Sequence, residues 1–85
     1  MEPLLEYPAD YPLKVIGAAG DDLAAHVREV VLAAAPGLAL GEATLRPSAG
    51  GKWMSVTMTA RLESEEQRRA IHAALAADPR VVFQL

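Results

Sequence analysis

The sequence predicts an α+β fold, in which a four-stranded antiparallel sheet carries two helices on one face. Three observations lead to this prediction. Residues 53–62 alternate between two faces as a half-buried strand does, and apolar residues recur at helical spacing in two other segments. A Gly-Gly pair separates two of the strands, as in a hairpin turn. The resulting order, strand, helix, strand, strand, helix, strand, is the ferredoxin-like pattern, with the strands in the order 4-1-3-2.

The strands are predicted over residues 11–17, 42–47, 53–62 and 81–85. The third is the clearest. Its apolar face carries Met54, Val56, Met58, Ala60 and Leu62, and its other face carries Trp53, Ser55, Thr57, Thr59 and Arg61. Right-handed crossovers lead us to expect the first and third strands at the centre of the sheet, parallel to each other. Gly50 and Gly51 are expected to supply positive φ in the hairpin turn.

Both helices have recognisable ends. The first is predicted to start after Gly20, where Asp21 or Asp22 would cap the free amides, and to end before Pro36-Gly37. Its apolar stripe is Leu23, Val27, Val30, Val31 and Ala34. The second starts with a capping box from Ser64 to Gln67 and ends at Asp78-Pro79. Its stripe is Ala70, Ile71, Ala74 and Leu75, beside Arg68 and Arg69 as a solvated flank.

Length and composition indicate a single small domain. The chain has 85 residues, 52% of them hydrophobic, and no cysteine, so packing alone must stabilise it. We expect an N-terminal arm over residues 1–10, which contain Pro3 and Pro8, and one domain over residues 11–85. A core of this size leaves modest stability, which self-association would increase.

Charge and hydropathy limit the partners and the location. The net charge is -3 and the pI is about 5.2, whereas proteins that bind nucleic-acid backbones usually carry a basic face. No stretch has the roughly 20 apolar residues of a membrane span, and the N-terminus lacks the pattern of a signal peptide. We therefore expect a cytoplasmic protein that binds neither membranes nor, by preference, nucleic acid.

Residues that carry chemistry are scarce in this sequence. Gly50-Gly51-Lys52 lacks the first glycine, the hydroxyl residue and the following helix of a phosphate-binding loop. His26 and His72 lie on different predicted helices without further ligands near them, and we expect them to be solvated. No nucleophile, base and acid arrangement is evident. The expectation is a protein with no enzymatic activity, no catalytic residues, no metal and no cofactor.

The face of the sheet away from the helices is the first candidate for binding. Alternation places Ile16, Trp53, Ser55, Thr57 and Val82 there, beside Lys14 and Thr59. An RNA-recognition domain has this topology, but it stacks bases on aromatic residues where Ser55 and Thr57 stand here. We predict instead a surface for a protein partner or a second subunit, with nucleic-acid binding as the alternative. Loops or the N-terminal arm covering these residues would be an equally good explanation.

Several motifs together resemble the YbeD-like family of small bacterial proteins. They are Tyr-Pro-Leu-Lys-Val-Ile-Gly at residues 11–17, Ala-Pro-Gly at 35–37, Arg-Pro-Ser at 46–48, Gly-Lys-Trp-Met-Ser-Val at 51–56 and Arg-Val-Val-Phe-Gln-Leu at 80–85. A tyrosine is more usual in that family where Trp53 stands. The resemblance covers nearly the whole chain and implies an ACT-like version of the ferredoxin-like fold, without a known activity.

The resemblance also implies a second candidate site. In ACT domains amino acids bind near the turn after the first strand, at an interface between two copies. Here that turn contains Gly17, Ala18, Ala19, Gly20 and Asp21. Its free amides could hold a carboxylate, and Asp21 or Asp22 could contact an ammonium group, although a helix cap with a tight turn explains the same residues. The function expected is that of a regulatory or binding module that forms homodimers and binds a small metabolite or a protein partner.

Overall fold

An antiparallel sheet carries two helices on one face in the computed structural model, which describes residues 6–48 and 50–84. The elements are β1 (Ala9–Ala18), α1 (Leu23–Ala34), β2 (Ala39–Leu40), β3 (Thr44–Pro47), β4 (Trp53–Leu62), α2 (Glu65–Ala77) and β5 (Val81–Gln84). β1 begins at Ala9, so the last two residues of the predicted arm belong to the strand. Residues 1–5, Ala49 and Leu85 lie outside the described residues.

The predicted ferredoxin-like fold is confirmed, with one change at an edge of the sheet. The strands run β5, β1, β4, and both β2 and β3 then pair with β4 along its far side. A single edge strand over residues 42–47 was expected. Between the pairs Leu40 with Ala60 and Thr44 with Thr57, the edge holds three residues and β4 only two. That extra residue breaks the edge into two short strands, as a bulge does.

The direction of the central pair corrects a prediction. β1 and β4, expected to be parallel, pair antiparallel over ten residues, from Ala9 opposite Leu62 to Ala18 opposite Trp53. The crossover through α1 makes β1 parallel to the edge strand that follows it, and the hairpin then reverses the chain. β4 therefore returns alongside β1 in the opposite direction.

One apolar core fills the space between the sheet and the helices. Its buried residues are Leu13, Val15, Leu23, Val27, Val31, Ala35, Leu38, Val56, Met58, Ala60, Leu62, Ile71 and Leu75. β4 supplies more of them than any other strand, which confirms the predicted apolar face. Burying Val56, Met58 and Leu62 stabilises the fold by about 1.5–3 kcal/mol each.

The predicted turn and capping residues behave as expected in all but one case. Gly50 and Gly51 have φ of 88° and 71°, and the Ser64 hydroxyl accepts a hydrogen bond from the Gln67 amide at 3.2 Å. Asp22 occupies the position before α1 without capping it, contrary to the prediction. Its carboxylate instead accepts hydrogen bonds from the Arg80 guanidinium, at 2.8 Å and 3.1 Å. A charged pair therefore replaces the expected cap.

Within the described residues, β5 is short and leaves part of β1 with one neighbour. There it pairs with β1 only from Val15 to Gly17, and its register shifts between Ile16 and Gly17. Pro12 lies in the part of β1 that pairs with β4 alone. A proline, which has no amide hydrogen to donate, is tolerated at such an edge-like position. Within residues 6–48 and 50–84, neither helix has the length and hydropathy needed to cross a membrane.

Candidate binding face

The sheet has one face that the helices do not cover, which we call the open face. Its central residues are Lys14, Ile16, Thr44, Arg46, Trp53, Ser55, Thr57 and Phe83. On β4 these residues alternate with the core residues, and the pairing register carries the alternation to the neighbouring strands. Across the sheet, Lys14 and Thr44 flank Thr57, while Ile16 and Arg46 flank Ser55.

Three apolar side chains lie together on the open face. Ile16 is half-buried and stands opposite Phe83 of β5, whose side chain is 55% exposed. Ile16 pairs with Ser55 of β4, and Trp53, which is 37% exposed, is the neighbour of Ser55 on the same face of β4. Diagonal neighbours at this spacing are within reach of an aromatic side chain. Ile16, Trp53 and Phe83 therefore form an apolar strip that crosses three strands.

The structure brings Phe83, rather than Val82, to the position beside Ile16. Val82 was predicted there from regular alternation after the second helix. The register shift opposite Ile16 and Gly17 leaves Val82, a residue that is 59% exposed, without a pairing partner on β1. Sequence reasoning missed Phe83 because a bulge of this kind depends on contacts with a strand far away in the chain.

Two cationic side chains and several hydroxyl groups line the rest of the open face. Two adjoining depressions, with volumes of about 200 Å³ and 220 Å³, share Lys14, Arg46 and Ser55 in their walls. The first also contacts Trp53 and Ile16, and the second is lined by Thr44 and Thr57. The Lys52 ammonium group lies 5.5 Å from the centre of the Trp53 ring, within range of a cation–π interaction.

The turn after β1, where a ligand was predicted to bind, is partly closed by packing and by backbone hydrogen bonds. Gly17 is buried, and a side chain there would meet the Arg80 carbonyl oxygen and Leu23. The Ala19 amide donates to the Lys52 carbonyl at 3.0 Å, and the Leu23 amide to the Gly20 carbonyl at 3.3 Å. Ala18, Ala19 and Asp21 remain exposed. This turn connects β1 to α1 tightly, and its exposed side is the part accessible to a ligand.

Both histidines have partners, which corrects the expectation that they are solvated. His26 is hydrogen-bonded to Asp78, and His72 lies between Tyr11 and Gln84. The Tyr11 hydroxyl is 3.2 Å from His72 Nε2, and the Gln84 side-chain oxygen is 2.7 Å from His72 Nδ1. These contacts join α2 to β1 and β5. Sequence reasoning missed them because the partners of His72 are 61 and 12 residues away.

The polar groups of the described residues serve mainly to join elements. In the part of the chain that the structure describes, no three histidine or acidic side chains are grouped as metal ligands would be. The Glu65 carboxylate pairs with Arg68 and Arg69 and accepts a hydrogen bond from Tyr7. Arg68, predicted as solvated flank, is thus engaged in an ion pair. The central residues of the open face take part in none of these ion pairs.

These features define a small α+β protein with a ferredoxin-like fold and one sheet face that the helices leave uncovered. The family described as "Protein of unknown function (DUF493)" matches residues 2–85. The UPF0250 protein RSc0326 of Ralstonia nicotianae is 40% identical over 80 residues, covering 94% of this chain and 82% of that protein. A UPF0250 protein of Bordetella pertussis is 40% identical over 84 residues, covering 99% of this chain and 92% of that protein. The chain belongs to this DUF493/UPF0250 family of small bacterial proteins, with which the YbeD-like resemblance agrees.

A solved structure supports the same fold. The solution structure of protein HP0495 from H. pylori superposes with a TM-score of 0.74 and covers 99% of this chain and 88% of the other. The two sequences are 20% identical, so the similarity concerns the fold.

Proposed function

We propose that this protein is a non-enzymatic binding module of the cytoplasm that engages a protein partner through its open face. The observation that carries the proposal is the strip of Ile16, Trp53 and Phe83, which no other described residue covers and which lies beside the cations Lys14 and Arg46. Contiguous exposed apolar patches rimmed by polar residues often mark interaction surfaces. Aromatic residues next to a cation are also the composition typical of binding hot spots.

A protein partner explains the open face better than the alternatives do. A nucleic acid would need stacking residues along β4, where Ser55 and Thr57 follow Trp53, and the net charge of -3 opposes a polyanion. A small metabolite at the turn after β1 could contact only the exposed side of that turn, because atoms of Arg80 and Leu23 occupy the space beside Gly17.

The metabolite alternative is tested by measuring the melting temperature of the protein in the presence of each amino acid. A ligand at 100 times its Kd stabilises the folded protein by about 2.7 kcal/mol, which raises that temperature.

The test of the proposal is affinity capture from the bacterium that encodes the protein. Wild type is compared with the double variant Trp53→Ser, Phe83→Ser and with the control Leu45→Ser. Leu45 is also an exposed apolar residue, but its pairing with Val56 places it away from the open face. We expect one protein to be captured by wild type and the control and lost from the double variant. Titration calorimetry with that purified protein then measures direct binding.

Equal capture by the double variant would contradict the proposal, and so would the recovery of nucleic acid in place of a protein. Circular dichroism of each variant checks that the fold is intact before capture. Retention by the double variant with loss in Leu45→Ser would assign binding to the β3 edge instead.

A second proposal is self-association through that edge. All four residues of β3 are exposed, and within the described ranges the strand pairs on one side only, with β4. At β2 the Arg28 side chain donates hydrogen bonds to the carbonyls of Leu40 and Gly41, which leaves β3 as the open part of this edge. Unpaired edges of this kind promote association of strands from two copies. Light scattering at high micromolar concentration should show a dimer that Leu45→Lys dissociates, whereas a strictly monomeric wild type would exclude it.

A further inference from the structure

We infer that the two depressions lined by Lys14, Arg46 and Ser55 bind carboxylate side chains of an acidic, extended peptide segment. This inference rests on the proposed function and specifies the chemistry of the partner. It is carried by three features of the open face: the cations there lack acidic partners among the described residues, hydroxyl groups lie between them, and apolar side chains adjoin them.

The distribution of cations is the first of these features. The chain has eight lysines and arginines. Arg61, Arg68, Arg69 and Arg80 are paired with carboxylates, and Arg28 donates to two carbonyls. Within residues 6–48 and 50–84, Lys14, Arg46 and Lys52 form no ion pair. In a protein of net charge -3, three of the four cations that form no ion pair among these residues therefore lie on or beside the open face, and the fourth, Arg28, is held by two carbonyls.

The geometry is suited to one or two carboxylates. Lys14 and Arg46 lie on the two strands that flank β4, on a diagonal that is about 12 Å long at the usual strand spacing and rise per residue. Ser55 and Thr57 lie between them on β4. The Ser55 hydroxyl donates to the Arg46 carbonyl at 3.3 Å. The long side chains of Lys14 and Arg46 can both reach the surface above Ser55 and Thr57. Their charge-assisted hydrogen bonds to a carboxylate there would be stronger than hydrogen bonds between neutral groups.

The surroundings favour a peptide over other anions. Trp53, Ile16 and Pro47 line the same depression as Lys14 and Arg46, so an apolar side chain next to the carboxylate would also be bound. At the far end of this face Arg61 is neutralised by Asp10 at 3.2 Å, which ends the positive region. A region this short suits a few carboxylates and not a long phosphate backbone. Side chains alternating between acidic and apolar, as in an extended strand, match this pattern.

The experiment uses Trp53, the only tryptophan of the chain, as its reporter. The full-length protein is titrated with an acetylated and amidated peptide of four Glu-Val repeats, up to about 5 mM. The matched probes are a peptide of four Gln-Val repeats, a thymidine decanucleotide and inorganic phosphate. Trp53 emission and amide chemical shifts are followed together, in low and in high salt. The Lys14→Gln and Arg46→Gln variants are compared with Arg69→Gln, which removes the same charge from α2.

We expect saturable binding of the Glu-Val peptide, with shifted amides confined to β1, β3 and β4. Lys14→Gln and Arg46→Gln should each weaken it about tenfold, the effect of losing one charge-assisted hydrogen bond, and Arg69→Gln should leave it unchanged. No binding of the Glu-Val peptide, equal binding of the Gln-Val peptide, or equal weakening by Arg69→Gln would overturn the inference.

Tighter binding of the decanucleotide or of phosphate than of the peptide would also overturn it. Failure here is distinguishable from failure of the proposed function. If partner capture still depends on Trp53 and Phe83 while the acidic peptide does not bind, the proposed function is retained and the inference of an acidic partner is rejected.

Discussion

His26 Nε2 lies 2.7 Å from Asp78 Oδ2, and this contact ties the first turn of α1 to the residue that ends α2. The Asp78 carboxylate also accepts the Arg80 amide at 2.8 Å, and its side chain is only 11% exposed. Burial raises the pKa of Asp78, but the hydrogen bonds from the Arg80 amide and the His26 ring together lower it below the usual value. The charged form of Asp78 is thus the one that the fold favours.

Asp78→Ala should therefore lower the free energy of unfolding by about 1–3 kcal/mol at neutral pH, because the amide and ring lose their acceptor. The deficit relative to wild type should shrink as the pH falls through the lowered pKa, where wild-type Asp78 becomes protonated. Urea denaturation measures both effects. The exposed Asp21→Ala is the control and should change stability by less than about 0.5 kcal/mol. Equal losses in the two variants would contradict the role of Asp78.

Glu65 should contribute to stability in moderately acidic solution. Hydrogen bonds from Arg68 and then from Tyr7 lower the pKa of its carboxyl group from 4.5 to about 2. A depressed carboxyl pKa stabilises the fold above the unfolded-state value, and this stabilisation is lost as the pH falls. Between pH 4.5 and about 2, wild type should lose stability that Glu65→Gln never had. Denaturation curves at both ends of this range measure the stability of wild type, of Glu65→Gln and of the control Glu66→Gln. If the prediction is wrong, all three proteins will lose the same stability between the two pH values.

Gly17 should not tolerate a side chain, in contrast to Gly20. A Cβ at Gly17 would lie 2.5 Å from the Arg80 carbonyl oxygen and 3.2 Å from a Leu23 methyl group, so the backbone must shift. We expect Gly17→Ala to destabilise by about 1–3 kcal/mol, the range for overpacking. At Gly20 the nearest atom is the flexible Asp22 carboxylate at 3.5 Å, and alanine should be nearly neutral. Thermal melts of the two variants test this, and a neutral Gly17→Ala would refute the close approach.

Val56→Asp should abolish cooperative folding. Val56 is 1% exposed at the centre of β4, and an unpaired carboxylate in that position costs more than a domain of this size can offset. Thr59→Asp changes an exposed residue of the same strand and should retain a sharp melting transition. A near wild-type melt of Val56→Asp would show that the strand is misplaced.

Local signals in the sequence predicted the fold well. The alternation over residues 53–62 located β4 and its two faces, Ser64 marked the start of α2, and the glycine pair marked the hairpin. Each of these features depends on residues close together in the chain. The direction of β4 relative to β1 was predicted wrongly. The hairpin reverses the chain, so β4 lies antiparallel to β1 and not parallel to it.

The candidate site was only partly predictable, since its remaining parts come from distant contacts. Alternation placed Ile16, Trp53 and Ser55 on one face. Phe83 reaches that face through a register shift between β1 and β5, which no periodic pattern reveals. Asp22 is turned away from its capping role by Arg80, which lies 58 residues further along the chain. Such pairings depend on how the elements pack and not on their own sequences.

The shortness of β5 has a consequence for how the protein keeps its strands from aggregating. Among the described residues, residues 9–14 of β1 pair with β4 on one side and with no strand on the β5 side, although β1 is an interior strand of the sheet. An unpaired stretch of central strand would invite a strand of another molecule to add there. Pro12 supplies no amide hydrogen, and Lys14 and Asp10 carry charge on the same stretch. The N-terminal half of β1 thus has the features that natural sheets use to prevent unwanted pairing.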